Sequence, residues 1–299
     1  MNTPIAIIVL TRDEPVFLEK TVDAILSRTL YPFELFIVDN YSNSDMQKSV
    51  LTRYKESNIN VIFNNKNEWL LGFNKAIDII YSRDDLSSEY MVLTDGDIVV
   101  PNPIDQICWL EYLKKKMDSN LVIGKLGIFL DDLEFTKNKE EFSEIYKEEL
   151  SYTKGPMIDD TVVAPVDTTL AIYRTDLFVT GEFIMTPGHS SLVKPYYYVC
   201  RTNTSYTAEH LGFKSYSKPN LRQIKEKVVC FTKYSGFIAP QTLENVDLIT
   251  KYYHKIFRHL YKLYWAIQVV YYWVRYISKR FPRNLNEIQS KTRYLRNNT

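Results

Sequence analysis

The first hundred residues predict an α/β fold, and three observations predict it. Short, mostly aliphatic runs alternate with longer stretches whose apolar residues recur at helical spacing. The runs lack the polar–apolar alternation of a half-exposed sheet, which marks strands covered on both faces. Polar and acidic residues stand at the ends of these runs, where ligands bind in open α/β sheets.

The elements follow in order along the chain. Ile5 to Leu10 is an unbroken aliphatic strand. Pro15 then opens a helix with Phe17, Val22, Ile25 and Leu26 near one face. Phe33 to Val38 is the second strand, ending at the loop Asp39-Asn40-Tyr41-Ser42. Met46 to Tyr54 reads as helix, Asn60 to Phe63 as the third strand, Leu70 to Tyr81 as helix and Tyr90 to Thr94 as the fourth strand. This alternation implies a parallel sheet in the first half.

The second half is less regular. The charge-rich stretch 131–150 reads as a solvated helix with flanking loops, Asp167 to Tyr173 as a strand running into Arg174, and 181–245 as loops. The expected division is a domain over 1–247, in two halves (1–105 and 106–247), followed by a helical tail over 248–299.

Composition excludes several classes. The chain has 299 residues, 45% apolar and 24% charged, which suits a packed domain and rules out collagen-like or disordered chains. The three cysteines, Cys108, Cys200 and Cys230, form no CxxC pair, so neither a disulfide scaffold nor a zinc ribbon is expected, and a reducing compartment fits. The N-terminal apolar run meets Arg12 and Asp13 too soon for a signal peptide. No GxGxxG follows the first strand and no GxxxxGK[ST] occurs, against a nicotinamide dehydrogenase or a P-loop enzyme.

Chemistry concentrates at Asp95-Gly96-Asp97, directly after the strand MVLT. Two carboxylates hinged by a glycine can both reach a divalent ion and the ribose or phosphates beside it. Such an ion neutralises the charge that grows on a diphosphate as its bond to a sugar breaks.

Four segments together, IAIIVLTRDEPVFLEKTVDAIL, FELFIVDNYSNSD, NNKNEWLLGFNKAID and YMVLTDGDIVVPNP, resemble the nucleotide-sugar half of inverting family 2 glycosyltransferases. That resemblance implies the GT-A fold, a Rossmann-like mixed sheet flanked by helices. It implies that Thr11, Arg12 and Glu14 line the nucleotide and that Asp39 bonds the base, often uracil. The segment around Asn65 and Gly72 would close over the nucleotide. Asp95 and Gly96 would meet the donor, and Asp95 and Asp97 a divalent ion, manganese or magnesium.

Further on, VDTTLAIYRTDLF is similar to a strand-then-Arg segment on the acceptor side of such enzymes. RTNTSYTAEHLGFKSY is similar to a Tyr-Thr-Ala-x-His segment of a bacterial subgroup, which makes His210 the candidate third metal ligand. The Glu-Asp pair expected after the acceptor strand is absent. Two carboxylates then compete as the base of an inverting transfer. Asp167 comes first, because burial at a strand start would raise its pKa. Glu209, beside His210, is the other, and a retaining reaction would need neither. His189 is a candidate contact to acceptor or phosphate.

Charge is uneven. Residues 248–299 carry eleven Lys and Arg against one acid, Glu287, a net of +10, which leaves −9 on residues 1–247. On a helical wheel Ile256, Leu260, Leu263, Tyr264, Ile267, Val270, Tyr271, Val274 and Ile277 share one stripe, with Lys251, Lys255, Arg258, Lys262, Arg275, Lys279 and Arg280 outside it. The apolar run Leu263–Val274 is too short to span a bilayer, so an anionic membrane surface is the expected partner. Packing on the chain's own body or on a second copy is the competing reading. An acidic body without a recognisable nucleic-acid module argues against nucleic acid.

The combined expectation is a metal-dependent hexosyltransferase that moves a sugar from a nucleotide-sugar, UDP-sugar first, to a glycan or lipid-linked hydroxyl in cell-surface polysaccharide synthesis. It would work at the cytoplasmic membrane face, and a homo-oligomer is compatible with it. The rivals are a non-catalytic nucleotide-sugar or glycan-binding scaffold and, further off, a sugar nucleotidyltransferase.

Overall fold

The first four strands lie where the aliphatic runs place them: β1 (Ile5–Thr11), β2 (Phe33–Asp39), β3 (Asn60–Phe63) and β4 (Tyr90–Asp95). Between them run α1 (Pro15–Arg28), α2 (Asp45–Glu56) and α3 (Asn74–Tyr81). The expected Leu70–Tyr81 helix is split, with a 3-10 turn over Trp69–Phe73 before α3. Trp69, just before the expected start, takes a left-handed φ of 53°, which bars the helical segment from extending further back along the chain. The computed structural model describes residues 3–131, 147, 150–178, 181, 197–203, 206–212, 221–234, 238 and 240–280. Most of the stretch 131–150, His189 and the tail end 281–299 lie outside the described residues.

The second half is richer in strands than its sequence suggests. It adds β5 (Ile98–Val99), α4 (Trp109–Ser119), β6 (Ile123–Gly127), β7 (Phe129–Leu130), β8 (Met157–Ile158), β9 (Thr161–Val163), β10 (Leu170–Arg174), β11 (Tyr198–Arg201) and β12 (Thr207–His210). Three helices follow: α5 (Leu221–Lys233), α6 (Pro240–Glu244) and α7 (Leu248–Arg280).

Nine strands form one sheet in the order β3-β2-β1-β4-β10-β6-β11-β9-β8, and β5-β12-β7 form a small second sheet. β3, β2, β1 and β4 are parallel, as the alternation of elements implies. β10 enters antiparallel between β4 and β6, which makes the sheet mixed.

Strand periodicity divides the core. Ile5, Ile7 and Val9 face one layer with Leu18, Val22 and Trp109, while Ala6 and Ile8 face the other with Phe73, Ile77 and Ile80. Each fully buried aliphatic side chain contributes roughly 1.5–3 kcal/mol, so both layers anchor the β1–β4 platform. All three cysteines are buried and free.

Arg174 ends β10 and turns into the protein. Its Nε donates to the Ile123 carbonyl at 2.8 Å and its Nη2 to the Met117 carbonyl at 2.6 Å. The guanidinium also lies 5.4 Å from the Tyr90 ring centroid. It therefore ties α4 and β6 to the sheet and is not available to an acceptor. Arg174→Ala strands those buried carbonyls at about 1–3 kcal/mol each. The urea midpoint should fall by the equivalent of about 3 kcal/mol, with an unchanged m-value.

Candidate active site

The chain steps outward from β1 to β3 and then returns to pair β4 with the opposite edge of β1. This leaves a switch point between β1 and β4, and ligands of α/β sheets bind beyond such points. Thr11 is in register with Asp39, and Leu10 with Asp95. Three strand ends thus present Asp39, Thr11 and Asp95 side by side.

The loops beyond these ends are clamped locally. Asp13, at a left-handed φ of 56°, accepts from the amides of Asn43 (2.7 Å) and Ser44 (2.8 Å), and its own amide donates to Ser42 Oγ at 2.9 Å. Buried Gln47 donates to Thr11 Oγ1 at 3.1 Å and accepts from the Glu14 amide at 3.1 Å. Thr11 and Glu14 are therefore presented from a fixed backbone, and Asp13 serves as a clamp.

At the end of β4, Thr21 of α1 donates to the Gly96 carbonyl at 3.0 Å. A Cβ on Gly96 would stand 2.8 Å from Thr11 Cβ, so only glycine lets this turn lie against β1. β5 begins one residue after Asp97 and pairs antiparallel with β12, which sets His210 opposite Ile98. The consequence is a buried contact of 3.5 Å between His210 Nδ1 and Asp97 Oδ2. The Leu211 amide donates to the Asp97 carbonyl at 2.8 Å, and the Gly212 amide bonds the Asp97 carboxylate.

β12 alternation buries His210 and leaves Glu209 exposed on the other side. Asp167 differs from its expected setting. It precedes β10 by three residues and is exposed, because Val166 and Thr168 take the inward positions on either side of it. It nevertheless faces the cluster, since its charge acts on Asp95.

Electrostatics mark the site. Burial, together with the charges of Asp97, Asp167 and Glu14, raises the Asp95 pKa well above the carboxylate range. Burial, then Asp97 and Asp13, pushes Glu14 up to about 7. Burial raises Asp97 as well, against the opposing pull of His210. Two cations brace the segment before Asp167. Fully buried Lys125 donates to the Val166 carbonyl, and Arg201 Nε to the Pro165 carbonyl at 2.7 Å. Burial brings Lys125 down to about 7, while Asp167 and Asp95 oppose that fall.

The opposite end of the cleft has a different character. Asp39 is buried; its Oδ2 accepts from the Ser42 amide at 3.1 Å, and its Oδ1 has no partner among the described residues. Asn40 organises the loop expected to close over the nucleotide, donating to Asn67 Oδ1 (3.0 Å) and to the Trp69 carbonyl (3.1 Å). Asn64 reaches the Gly72 carbonyl at 3.2 Å, and Gly72 packs too closely on Asn40 and Asn64 to carry a Cβ. Asn65 is exposed, so its neighbour Asn64 makes the joint. Arg12 pairs with Glu226 of α5 at 2.5 Å.

Comparison with known proteins decides the family. The glycosyl transferase family 2 profile matches residues 6–180, more than half of the chain. The protein belongs to glycosyl transferase family 2. Among solved structures, a mannosyltransferase from Pyrobaculum calidifontis, PcManGT in complex with GDP-Man and Mn2+, shares 15% identity at a TM-score of 0.51, covering 97% of this chain and 78% of that one. GalNAc-T7 with UDP, GalNAc and Mn2+ shares 12% identity at a TM-score of 0.45, covering 69% of this chain and 43% of that one. S. aureus TarS shares 12% identity at a TM-score of 0.43, covering 84% and 43%. No curated protein sequence matches the chain. At such identity PcManGT speaks to fold alone, and it supports the GT-A architecture.

Family membership makes the protein a glycosyltransferase, and the strand-end cleft is where its chemistry is to be sought. Among the described residues no three His, Cys, Asp or Glu side chains form a ready-made ion cage. Asn40 and Asn64 stand at strand ends that the sequence reading singled out without giving them a role, whereas Gln47, Lys125, Arg201 and Gly212 escaped it. Of these, Gly212 had a legible signal, a glycine two residues after the candidate histidine. A Cβ there would stand 2.1 Å from Asp97 Oδ2. Gly212→Ala should therefore cost about 1–3 kcal/mol of stability and push the Asp97 carboxylate away from His210. A crystal structure of the variant reads the displacement directly.

Proposed function

We propose that the protein transfers a sugar from a nucleoside-diphosphate donor, UDP-sugar first, to a hydroxyl of a glycan or lipid-linked acceptor, with inversion at the anomeric carbon. The observation that carries this reading is the convergence of Glu14, Asp95, Asp97 and Asp167 on one rim with His210 against Asp97. Carboxylates crowded until their pKa values rise form a site that favours an arriving cation.

Asp97 and His210 fit a divalent ion chemically. They join a hard oxygen donor to an imidazole nitrogen 3.5 Å away, both buried, in a ligand class that suits manganese or magnesium. With only two such groups in contact, the donor's diphosphate and water would complete the shell, and Asp95 stands next to it. The ion, when bound, supplies Lewis-acid neutralisation of the departing diphosphate.

The protein's own groups do the remaining work. Asp39 Oδ1, a buried acceptor without a partner among the described residues, suits the ring N–H that uracil and guanine both present. Asn40 and Asn64 hold the loop bearing Gly72 beside it. Asp167 is the base in this reading. It is open to an acceptor yet close enough for its charge to act on Asp95, and Lys125 and Arg201 immobilise the backbone leading to it. It takes the acceptor hydroxyl proton as that oxygen attacks from the face opposite the diphosphate. Residues 1–105 would receive the donor and 106–247 the acceptor.

Linkage gives a test that needs no turnover. Glu14 holds a proton in the folded state that the unfolded chain has lost, so its crowding removes stability as pH rises from about 4.5 to about 7, and the raised Asp95 acts in the same direction. A divalent ion should relieve that cost. Mn2+ at about 100 times its Kd should stabilise by about 2.7 kcal/mol. The gain in Tm should be larger near about pH 8 than near about pH 5.5, and Asp97→Asn should abolish it. A pH-independent gain, or one that survives in the variant, sinks the metal assignment.

A second test isolates the base. Asp167→Asn should retain the Tm shift given by UDP with Mn2+ and lose about 10²–10⁴-fold in kcat. Comparing UDP- and GDP-sugars in the same thermal assay fixes the nucleotide.

A further inference from the structure

The C-terminal helix α7 is 33 residues long, and it meets the rest of the protein through a face other than its apolar stripe. Thr250, His254 and Trp265 are buried. Thr232 Oγ1 of α5 lies 2.8 Å from His254 Nδ1, and Trp265 Nε1 donates to the Lys233 carbonyl at 2.7 Å. The Trp265 ring packs 5.8 Å from that of Tyr234. At 100° per residue this docked face lies about 140° from the stripe.

The stripe itself is open. Ile249, Ile256, Leu260, Leu263, Ile267 and Val274 are each more than half exposed, from 57% to 79%. Tyr252, Tyr264 and Tyr271 border it, also exposed. On its other side runs a third face of exposed Lys255, Arg258, His259 and Lys262. Lys251, Lys255, Arg258 and His259 line a recess of about 560 Å³ between α6 and α7, with Glu244 the one acid among the described residues of its wall. No Asp or Glu occurs between Leu248 and Arg280.

We propose that α7 docks the protein on an anionic phospholipid surface, its apolar stripe entering the acyl boundary and its basic face holding the lipid phosphates. Charge complementarity selects this occupant. Two copies of α7 paired along the stripe would bring like charges together without a carboxylate to balance them, whereas an anionic leaflet supplies the missing charge. The chain's own body is already engaged, through α5, by the other face. No helix among the described residues is long and apolar enough to cross a membrane, so the helix lies in the interface plane. This proposal stands apart from the reading of the catalytic cleft.

The test uses the full chain with vesicles of phosphatidylcholine, with and without about one third phosphatidylglycerol. Co-sedimentation should require phosphatidylglycerol, weaken with salt and persist in inorganic phosphate at the same ionic strength. The triple variant Lys255→Glu, Arg258→Glu, Lys262→Glu should lower vesicle affinity by about fivefold or more for each charge. Leu260→Ser with Ile267→Ser should lower it at least tenfold. All five residues are exposed, so circular dichroism and Tm should match the parent. Binding equal on neutral vesicles, or unchanged in both variants, overturns the proposal. So does sedimentation equilibrium showing a dimer that the Leu260/Ile267 variant dissociates while vesicles capture neither protein.

Discussion

Mutual repulsion among carboxylates at one sheet rim is the constraint around which the first half of this protein is built. Asp95, Asp97, Glu14 and Asp167 would separate if their backbones were free, because each raises the cost of ionising another. They cannot separate. Asp95 ends a strand buried on both faces, Gly96 is wedged against Thr11, and the Glu14 amide is held by Gln47. The hydrophobic layers thus position charge and do more than stabilise the sheet. Free energy from both cores is spent in keeping acids together, an exchange typical of functional sites.

The two halves of the chain meet at this rim through very few bonds. β5 and β12 are short, yet their pairing is what brings a histidine from residue 210 against an aspartate at residue 97. Gly212 completes the approach by presenting an amide where any side chain would collide with the carboxylate. On the other flank β10 runs back between β4 and β6, and Thr169 accepts from Thr94 Oγ1 at 2.6 Å beside Asp95. Lys125 sits centrally on β6 and reads as a misplaced charge in a strand. Its role becomes plain once its ammonium is seen on the Val166 carbonyl and 4.9 Å from the Tyr173 ring centroid. Buried and largely surrounded by the protein, it balances the acids from behind.

How much of this was legible from sequence follows from the physics of each element. β1 to β4 declared themselves because strands covered on both faces must be apolar throughout, and the helices between them because one face must be. The strands of the second half did not. β6 reads IGKLG, and its glycines exist to admit Tyr197 and Val166, partners far off in sequence. Glu209 looked eligible as a base only while TAEH was taken for irregular chain. Once it is a strand, alternation puts Glu209 and His210 on opposite sides. Asp167 was expected to be buried and is exposed for the same reason, with its two neighbours claiming the interior. The family resemblance carried His210, whereas the clamps made by Gln47, Asn40 and Asn64 depend on tertiary approach and leave no local pattern.

The C-terminal helix shows the limit of dividing a helix into one apolar and one polar face. Its hydrophobic periodicity points to a stripe that a globular protein would ordinarily turn inward, and such patches rarely stay open without a partner. Here the inward face is set by specific contacts, His254 on Thr232 and Trp265 on the Lys233 carbonyl and Tyr234. Those contacts leave both the stripe and the cations facing out. An acidic body that attracted the basic face would have drawn the helix round by about a quarter of a turn, yet the helix does not roll. The crowded carboxylates of the cleft and the exposed Lys255, Arg258 and Lys262, beside open apolar surface, therefore stand as separate charge systems. A chain with near-zero net charge conceals that division, and the orientation of α7 keeps it from collapsing.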